Sequence, residues 1–145
     1  MTTAIKPTKI TFKKVESEWS GYYNTLNEIN RLRESIINPY DDEPDTNTGG
    51  GVNSVRNPGD PTGKLAIRLT TNKQLEYLCT VVDAIDQVYN ALPDNYKELV
   101  RLRYWSKYKQ YTWEGIAFEL NVSERQARRW RNEIVQATVE VLGWR

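Results

Sequence analysis

Apolar side chains recur at alternating steps of three and four residues along two long stretches of the chain, which is the spacing of an amphipathic α-helix. Over residues 8–37 the pattern is typical of the a and d positions of a heptad repeat. A helix with one narrow apolar seam is not stable alone. We therefore expect the seam to pack on the second long helix of the chain, to self-associate as a coiled coil, or to do both. Its apolar members, the candidate oligomerisation residues, are Phe12, Val15, Trp19, Tyr22, Leu26, Ile29 and Ile36.

The second long helix is predicted to begin at Pro61 and to end before Pro93. Asp60 is a suitable N-cap, and proline is favoured at the first helical position. Cys79 lies beside the apolar stripe of this helix and is interpreted as a buried structural thiol. The stripe consists of Leu75, Leu78, Val82, Ile85, Tyr89 and Leu92.

Residues 38–63 separate the two helices and contain four prolines and five glycines. A segment of this composition buries no core, so an irregular loop is predicted. The glycines at 49–51 lack the strand, helix and Lys-Ser/Thr pair of a phosphate-binding loop and indicate a flexible linker. The expected organisation is an N-terminal helical and oligomerisation region over 1–92 and a C-terminal domain over 93–145.

Three shorter helices are predicted in the C-terminal domain, so the expected fold class is all-α. The first covers about residues 94–105, with Asp94 as its cap. The second follows the N-cap Thr112 and lasts about eight residues. The third follows Ser123, which has a glutamine three residues on in a capping-box pattern, and it ends at Gly143.

A short helix, a tight turn and a second capped helix form the layout of a helix–turn–helix. The turn is placed at Asn121, because asparagine tolerates the left-handed conformation. The small Ala117 lets the two helices cross closely. The residues expected to fill the wedge between the helices are Ile116, Leu120, Val122, Ala127 and Trp130.

The second helix of such a motif inserts its N-terminal part into the major groove, where arginine can bond guanine O6 and N7 together. The candidate base-reading residues on its exposed face are Ser123, Glu124, Arg125, Arg128, Arg129 and Asn132. The candidates for contacts with the DNA backbone are Arg101, Arg103, Lys107, Lys109, Thr112 and Arg131. Four aromatic residues near the preceding loop are expected to pack in the core rather than to stack on single-stranded bases; they are Trp105, Tyr108, Tyr111 and Trp113.

The composition argues against several other functions. The chain has no histidine and one cysteine, which excludes imidazole-based catalysis, zinc sites built on histidine and internal disulfides. No catalytic constellation stands out, so we expect no enzyme activity, no cofactor and no metal. No apolar run reaches the roughly 20 residues of a membrane-spanning helix, and a cytoplasmic location is expected.

The stretch ELVRLRYW followed by YTWEGIAFELNVSERQARRW resembles region 4 of bacterial sigma factors over about residues 93–140. Asn121 stands where glycine is usual, and Ala127 where a branched residue is usual. A long N-terminal helix ending in LRESIINPY, an acidic loop with DTNTGGG, a middle helix and this C-terminal motif together resemble the RinA/ArpU group of phage-encoded transcriptional activators. The resemblance implies activation of late packaging and structural genes in a bacterial host cell, by binding promoter DNA and contacting host RNA polymerase.

The net charge of +1 conceals an uneven distribution. Residues 95–131 hold 9 basic and 4 acidic side chains, whereas residues 1–60 hold 7 basic and 9 acidic ones. This basic region favours a sequence-specific DNA-binding activator that contacts double-stranded promoter DNA. Two alternatives stay open: a sigma-factor-like polymerase subunit, for which the N-terminal helix is too short to melt a promoter, and a small DNA-packaging or adaptor protein without a transcriptional role.

Overall fold

The computed structural model describes residues 6–37 and 61–144, and within these ranges all regular secondary structure is helical. The prediction of an all-α fold is therefore confirmed. Residues 38–60 of the predicted loop, and the predicted cap Asp60, lie outside the described residues. The helices of the described ranges are α1 (Lys9–Ser20), α2 (Tyr22–Ile37), α3 (Pro61–Ala91), α4 (Asp94–Arg103), α5 (Trp113–Leu120) and α6 (Glu124–Leu142).

Residues 8–37, which carry the heptad pattern, were predicted to form one helix, but they form two, α1 and α2. α1 starts at the N-cap Thr8, whose hydroxyl oxygen accepts a hydrogen bond from the amide of Thr11. It ends at Gly21, whose amide donates to the carbonyl of Ser17 over 2.9 Å. Glycine has the lowest helix propensity of any residue except proline, because ordering its backbone costs the most entropy. The sequence spacing continues through this point, but the helix does not.

Of the described residues, 6–23 and 80–144 form one compact unit. Its core joins the C-terminal helices to α1 and to the last turns of α3. This unit is larger than the C-terminal domain predicted from residue 93 onward, because α1 contributes side chains to the same core. From α3 the core receives Val81, Ile85 and Val88, whereas Leu75 and Leu78 of the predicted stripe are only half-buried.

Two residues of the predicted oligomerisation seam are buried inside this unit. Val15 and Trp19 are each 0% exposed, and the indole Nε1 of Trp19 donates to Thr138 Oγ1 of α6 over 3.0 Å. A fully buried side chain has no surface left to offer a second copy of the chain. Their assignment to a self-association surface is therefore corrected. Tyr22 is half-buried, and its hydroxyl donates to Asp86 within the same unit.

Of the described residues, 24–37 and 61–79 form the second compact unit, which contains most of α2 and the N-terminal part of α3. Ile29 is its buried seam residue, at 4% exposure, whereas Ile36 is 42% exposed. Cys79 is half-buried rather than buried, and Arg33 Nη2 donates to its sulfur over 3.6 Å. The interpretation of Cys79 as a buried thiol is therefore corrected.

The ends of α5 and α6 follow the predicted capping residues. The side chains of Thr112 and Ser123 accept hydrogen bonds from the amides of Gly115 and Gln126, each over 3.0 Å. Asn121 adopts the left-handed conformation with φ 62°, as Gly143 does with φ 74°. The prediction for α4 was wrong by one residue, since Pro93 is its N-cap and Asp94 is the first helical residue. An acidic residue in that first turn still favours the helix dipole.

Candidate nucleic-acid interface

α5 and α6 are joined by a turn of three residues and share a buried interface. The small residues Ala117 and Ala127 are 6% and 0% exposed, which places them in the crossing as the sequence indicated. Ile116 is 0% exposed and Trp130 is 8% exposed. Leu120 and Val122 pack at the edge of the same core and stay half-buried. The wedge between the two helices is thus filled by the residues that the sequence predicts.

α4 supports α6 on a further side through an aromatic and a polar contact. The rings of Tyr96 and Trp130 stack with centroids 4.9 Å apart, and the Tyr96 hydroxyl donates to Glu133 over 2.9 Å. Burial, followed by the hydrogen bond to Glu133, raises the pKa of the Tyr96 phenol above its ordinary value. A tyrosine is protonated at neutral pH even at its ordinary pKa, and this shift moves the loss of the donated proton to still higher pH.

The outer side of α6 presents a concave, solvent-open surface near the N-terminus of the helix. Below, "the readout face" means this surface, which is lined by Glu124, Arg125, Arg128, Arg129 and Asn132. All five side chains are exposed, so the structure brings five of the six candidate base-reading residues together. The sixth, Ser123, uses its hydroxyl oxygen to cap α6. Its hydroxyl proton remains as a donor.

The arginines of the readout face are held only weakly by other protein groups. Arg128 lies 3.7 Å from Glu124 in an ion pair whose side chains are 53% and 46% exposed. Exposed pairs of this kind are worth roughly 0–1 kcal/mol and open readily. Arg125 and Arg129 form no ion pair with any described residue. Their donors are therefore available for an external acceptor.

Arg131 lies two residues after Arg129 in the sequence, but its side chain is not part of the readout face. Its Nη1 lies 3.1 Å from Glu16 of α1, and the two side chains are only 17% and 19% exposed. Its Nε donates to Asn132 over 2.8 Å, and its guanidinium lies 5.0 Å from the ring centroid of Phe12. The assignment of Arg131 to a DNA backbone contact is therefore corrected, because its side chain is largely buried and donates to Glu16 of α1 and to Asn132.

Glu16 is the acceptor that joins α1 to the C-terminal helices. Besides Arg131, its Oε2 receives the hydroxyl of Tyr104 over 2.6 Å. Burial, with the nearby charge of Glu16, raises the pKa of Tyr104 far above its ordinary value. The phenol thus remains a donor to the carboxylate throughout the physiological range. One carboxylate pairs with one guanidinium and one hydroxyl, so this largely buried polar group is satisfied.

Trp113, the first residue of α5, is surrounded by guanidinium groups. The ring centroid lies 4.6 Å from Arg103, 5.0 Å from Arg131 and 5.6 Å from Arg128. Such cation–π contacts contribute about 0.5–2 kcal/mol each, depending on exposure. One aromatic ring therefore contacts Arg103, a candidate DNA-backbone residue, Arg128, a candidate base-reading residue, and the half-buried Arg131. Trp113 was predicted as a core residue only, and the sequence pattern carries no signal of this second role.

The other candidate backbone residues are exposed at the periphery of the unit. Lys107 and Lys109 lie in the loop between α4 and α5, and the Lys109 ammonium is 4.8 Å from the ring centroid of Tyr111. Arg101 is bonded to Glu98 and to the Tyr89 hydroxyl. Both hydrogen bonds raise the pKa of the Arg101 guanidinium, and the bond to Glu98 contributes most. Thr112 is exposed, and its side-chain oxygen caps α5.

Two aromatic residues of this region are exposed, and one of them, Tyr108, was expected in the core. Tyr108 is 96% exposed, so the expectation that it packs in the core is wrong. Trp105 does pack there: its indole Nε1 donates to the carbonyl of Trp19 over 2.9 Å. Phe118 is 83% exposed on α5. The helical spacing places Phe118 on the side of α5 opposite to Ile116 and Leu120.

No group of three or more metal-ligating side chains occurs within residues 6–37 and 61–144. In the same ranges, no helix combines the length and apolar character needed to cross a membrane.

Comparison with known proteins places the chain in one family. It belongs to DUF722, described as a protein of unknown function, and the match covers residues 13–140. This range includes α5, the readout face, most of α6 and most of α1. No curated protein and no solved structure matches the chain.

Proposed function

We propose that this protein is a sequence-specific DNA-binding transcriptional activator that acts in the cytoplasm of a bacterial host cell. The observation that carries the proposal is the readout face: three arginines and Asn132 stand exposed together on the first turns of a capped helix, and that helix follows a short helix and a tight turn. In a helix–turn–helix this is the part of the second helix that enters the major groove. Arginine and asparagine are the side chains that read guanine and adenine there.

The electrostatics of the region support duplex DNA as the ligand. Arg125 and Arg129 are unpaired among the described residues, and Lys107 and Lys109 are exposed in the loop before α5. The first helix of such a motif crosses the DNA backbone, so a basic loop at its N-terminus suits phosphate contacts. Contact with host RNA polymerase, and a role in late phage gene expression, rest on the resemblance to sigma region 4 and to the RinA/ArpU group.

The test begins with the genomic fragments that co-purify with the protein, which supply a target duplex for titration by fluorescence anisotropy. We expect the affinity to fall steeply with salt, because lysine and arginine contacts release counterions from DNA. Arg128→Ala is expected to lose about 1–3 kcal/mol on the target duplex and little on an unrelated one. Arg31→Ala, an exposed arginine of α2 at 74% side-chain exposure, is the matched control and should bind as the wild type does.

Salt-independent binding, or no binding, would sink the proposal. A run-off assay with core polymerase separates the activator from a sigma-like subunit. Transcription driven by this protein without any other sigma factor would contradict the activator function and support the alternative.

A further inference from the structure

The ring of Trp113 is a point at which arginine side chains from two other helices meet. Arg103 comes from the last turn of α4 and Arg128 from the readout face of α6, and their guanidinium carbons lie 4.6 and 5.6 Å from the ring centroid. Both distances fall within the roughly 6 Å over which an aromatic ring attracts a cation. Because Trp113 is itself the first residue of α5, one side chain connects three helices.

Carboxylates do little to hold these two arginines in place. Arg103 forms no ion pair and no hydrogen bond with any described residue, and the pair of Arg128 with Glu124 is exposed and 3.7 Å long. Arg131 also contacts the ring, at 5.0 Å, but it is held separately by its 3.1 Å ion pair with Glu16. An exposed arginine otherwise samples many rotamers. The ring is therefore a restraint on Arg103 and, together with Glu124, on Arg128.

The core occupies only part of the Trp113 side chain. The residue is half-buried and packs against the core of its unit, whereas Arg103 and Arg128 are both exposed. Tryptophan is the best of the aromatic side chains at attracting a cation. A guanidinium that stacks on an aromatic face keeps the N–H donors at its edge available for an acceptor. The ring thus restrains the two arginines without consuming the donors that DNA needs.

The two arginines are candidates for different kinds of DNA contact. Arg103 was assigned to the backbone and Arg128 to a base. Backbone contacts fix the register of a protein on the duplex, whereas base contacts read the sequence. Side chains that are ordered before binding also lose less conformational entropy when they bind. A ring in contact with both arginines therefore sets the spacing between a backbone contact and a base contact before DNA arrives.

We propose that Trp113 is a positioning residue for DNA recognition: its indole ring holds Arg103 and Arg128 at a fixed spacing, so that Arg103 donates to a phosphate while Arg128 reads a base. The inference rests on the proposed function and deepens it, because it assigns the geometry of the two contacts to a residue that does not itself have to touch DNA. The helix before the turn then contributes to readout through its first residue, by ordering the arginines of its neighbours.

The test uses full-length variants that change the ring in two ways. Trp113→Phe keeps an aromatic face, whereas Trp113→Leu keeps apolar bulk and removes that face. Trp144→Leu is the matched control: Trp144 is also half-buried and has a cation over its ring, Lys14 at 4.6 Å, but it follows the end of α6 that is opposite to the readout face. Thermal unfolding of each variant is measured first. Each is then titrated on the target duplex at several salt concentrations, which gives the slope of log affinity against log salt.

We expect Trp113→Leu to bind the target duplex about tenfold more weakly and to lower the salt slope by about 1, because Arg103 no longer reaches its phosphate. Trp113→Phe should bind within about threefold of the wild type with the full slope, and Trp144→Leu within about twofold. A loss of packing alone does not change the slope. An unchanged slope in Trp113→Leu, or an equal loss in Trp113→Phe and Trp113→Leu, would overturn the positioning role.

Proton chemical shifts of the arginine side chains test the ring contact without DNA. Protons held over an indole ring move upfield, so the δ protons of Arg103 and Arg128 should lie upfield of those of Arg125 and Arg129 in the wild type. In Trp113→Leu they should return to ordinary values. Ordinary shifts in the wild type would overturn the proposal even if Trp113→Leu does not fold. If the wild type binds no duplex, the proposed function fails separately, and these shifts alone then decide whether the ring holds the two arginines: upfield shifts support it, and ordinary shifts overturn it.

Discussion

The inner and outer sides of α6 differ in almost every physical property. On the inner side, Ala127, Ile134 and Val135 are each 0% exposed, and Thr138 receives the Trp19 indole while donating to the carbonyl of Ile134 over 2.8 Å. On the outer side, the arginines of the readout face are exposed and at most loosely paired. One helix thus serves as the centre of a core and as a surface open to a ligand.

The arginines near the start of α6 show what this difference means. Arg125, Arg128 and Arg129 face solvent, whereas Arg131 pairs with Glu16 and lies against Trp113. A count of basic residues in the sequence treats all of them as potential DNA contacts. Only the side of the helix on which each one stands separates an exposed arginine from one that is paired inside the unit.

The largest expected effect comes from the inner side. Trp19→Ala removes a fully buried side chain together with its hydrogen bond to Thr138, and such truncations cost about 3–5 kcal/mol. We expect urea denaturation to show this loss, with DNA binding of the remaining folded fraction unchanged. Ile10→Ala on the same helix should change the free energy of unfolding by less than about 0.5 kcal/mol. Equal stabilities of the two variants would refute the packing of α1 against α6.

A second pair of substitutions separates the two kinds of arginine directly. Arg131→Ala leaves Glu16 largely buried without its cation, and we expect a loss of about 1.5–3 kcal/mol in the free energy of unfolding. Arg129→Ala should change stability by less than about 0.5 kcal/mol, because its side chain is exposed.

In the DNA titration we expect the opposite ranking, with a larger effect of Arg129→Ala than of Arg131→Ala. Arg129→Ala should weaken binding, and if Arg129 contacts a phosphate it should lower the salt slope by about 1, whereas folded Arg131→Ala should keep the wild-type slope. The division between the two sides of α6 would be wrong if Arg131→Ala changed the slope and spared stability.

The smallest effect is expected at the turn between α5 and α6. Asn121 has φ 62°, a conformation that glycine adopts without the steric cost that other residues bear. We expect Asn121→Gly to raise the free energy of unfolding by up to about 1 kcal/mol and Asn121→Ala to lower it, as measured by thermal unfolding. A destabilised glycine variant would mean that the Asn121 side chain contributes to the turn in its own right.

Local features of this protein follow from the sequence because they depend on near neighbours. The caps Thr112 and Ser123, the left-handed Asn121 and the terminal Gly143 are each determined by a residue and the few positions around it. The buried wedge between α5 and α6 also follows from helical spacing, since the two helices are short and directly connected. Helical spacing also accounts for the shared exposure of the candidate base-reading residues; that they read bases stays a prediction.

Long-range packing decided the rest. The seam over residues 8–37 was compatible with a coiled coil or with packing inside the chain, because spacing alone does not say which surface covers an apolar stripe. Trp19 and Glu16 found partners more than 80 residues away, at Thr138, Tyr104 and Arg131. Arg131 pairs with Glu16 of α1, a contact that no local pattern encodes. The sequence by itself determined most of the helices and the side chains that they carry; only the tertiary structure decided which of those side chains are buried and which stay exposed, because burial depends on contacts between distant parts of the chain.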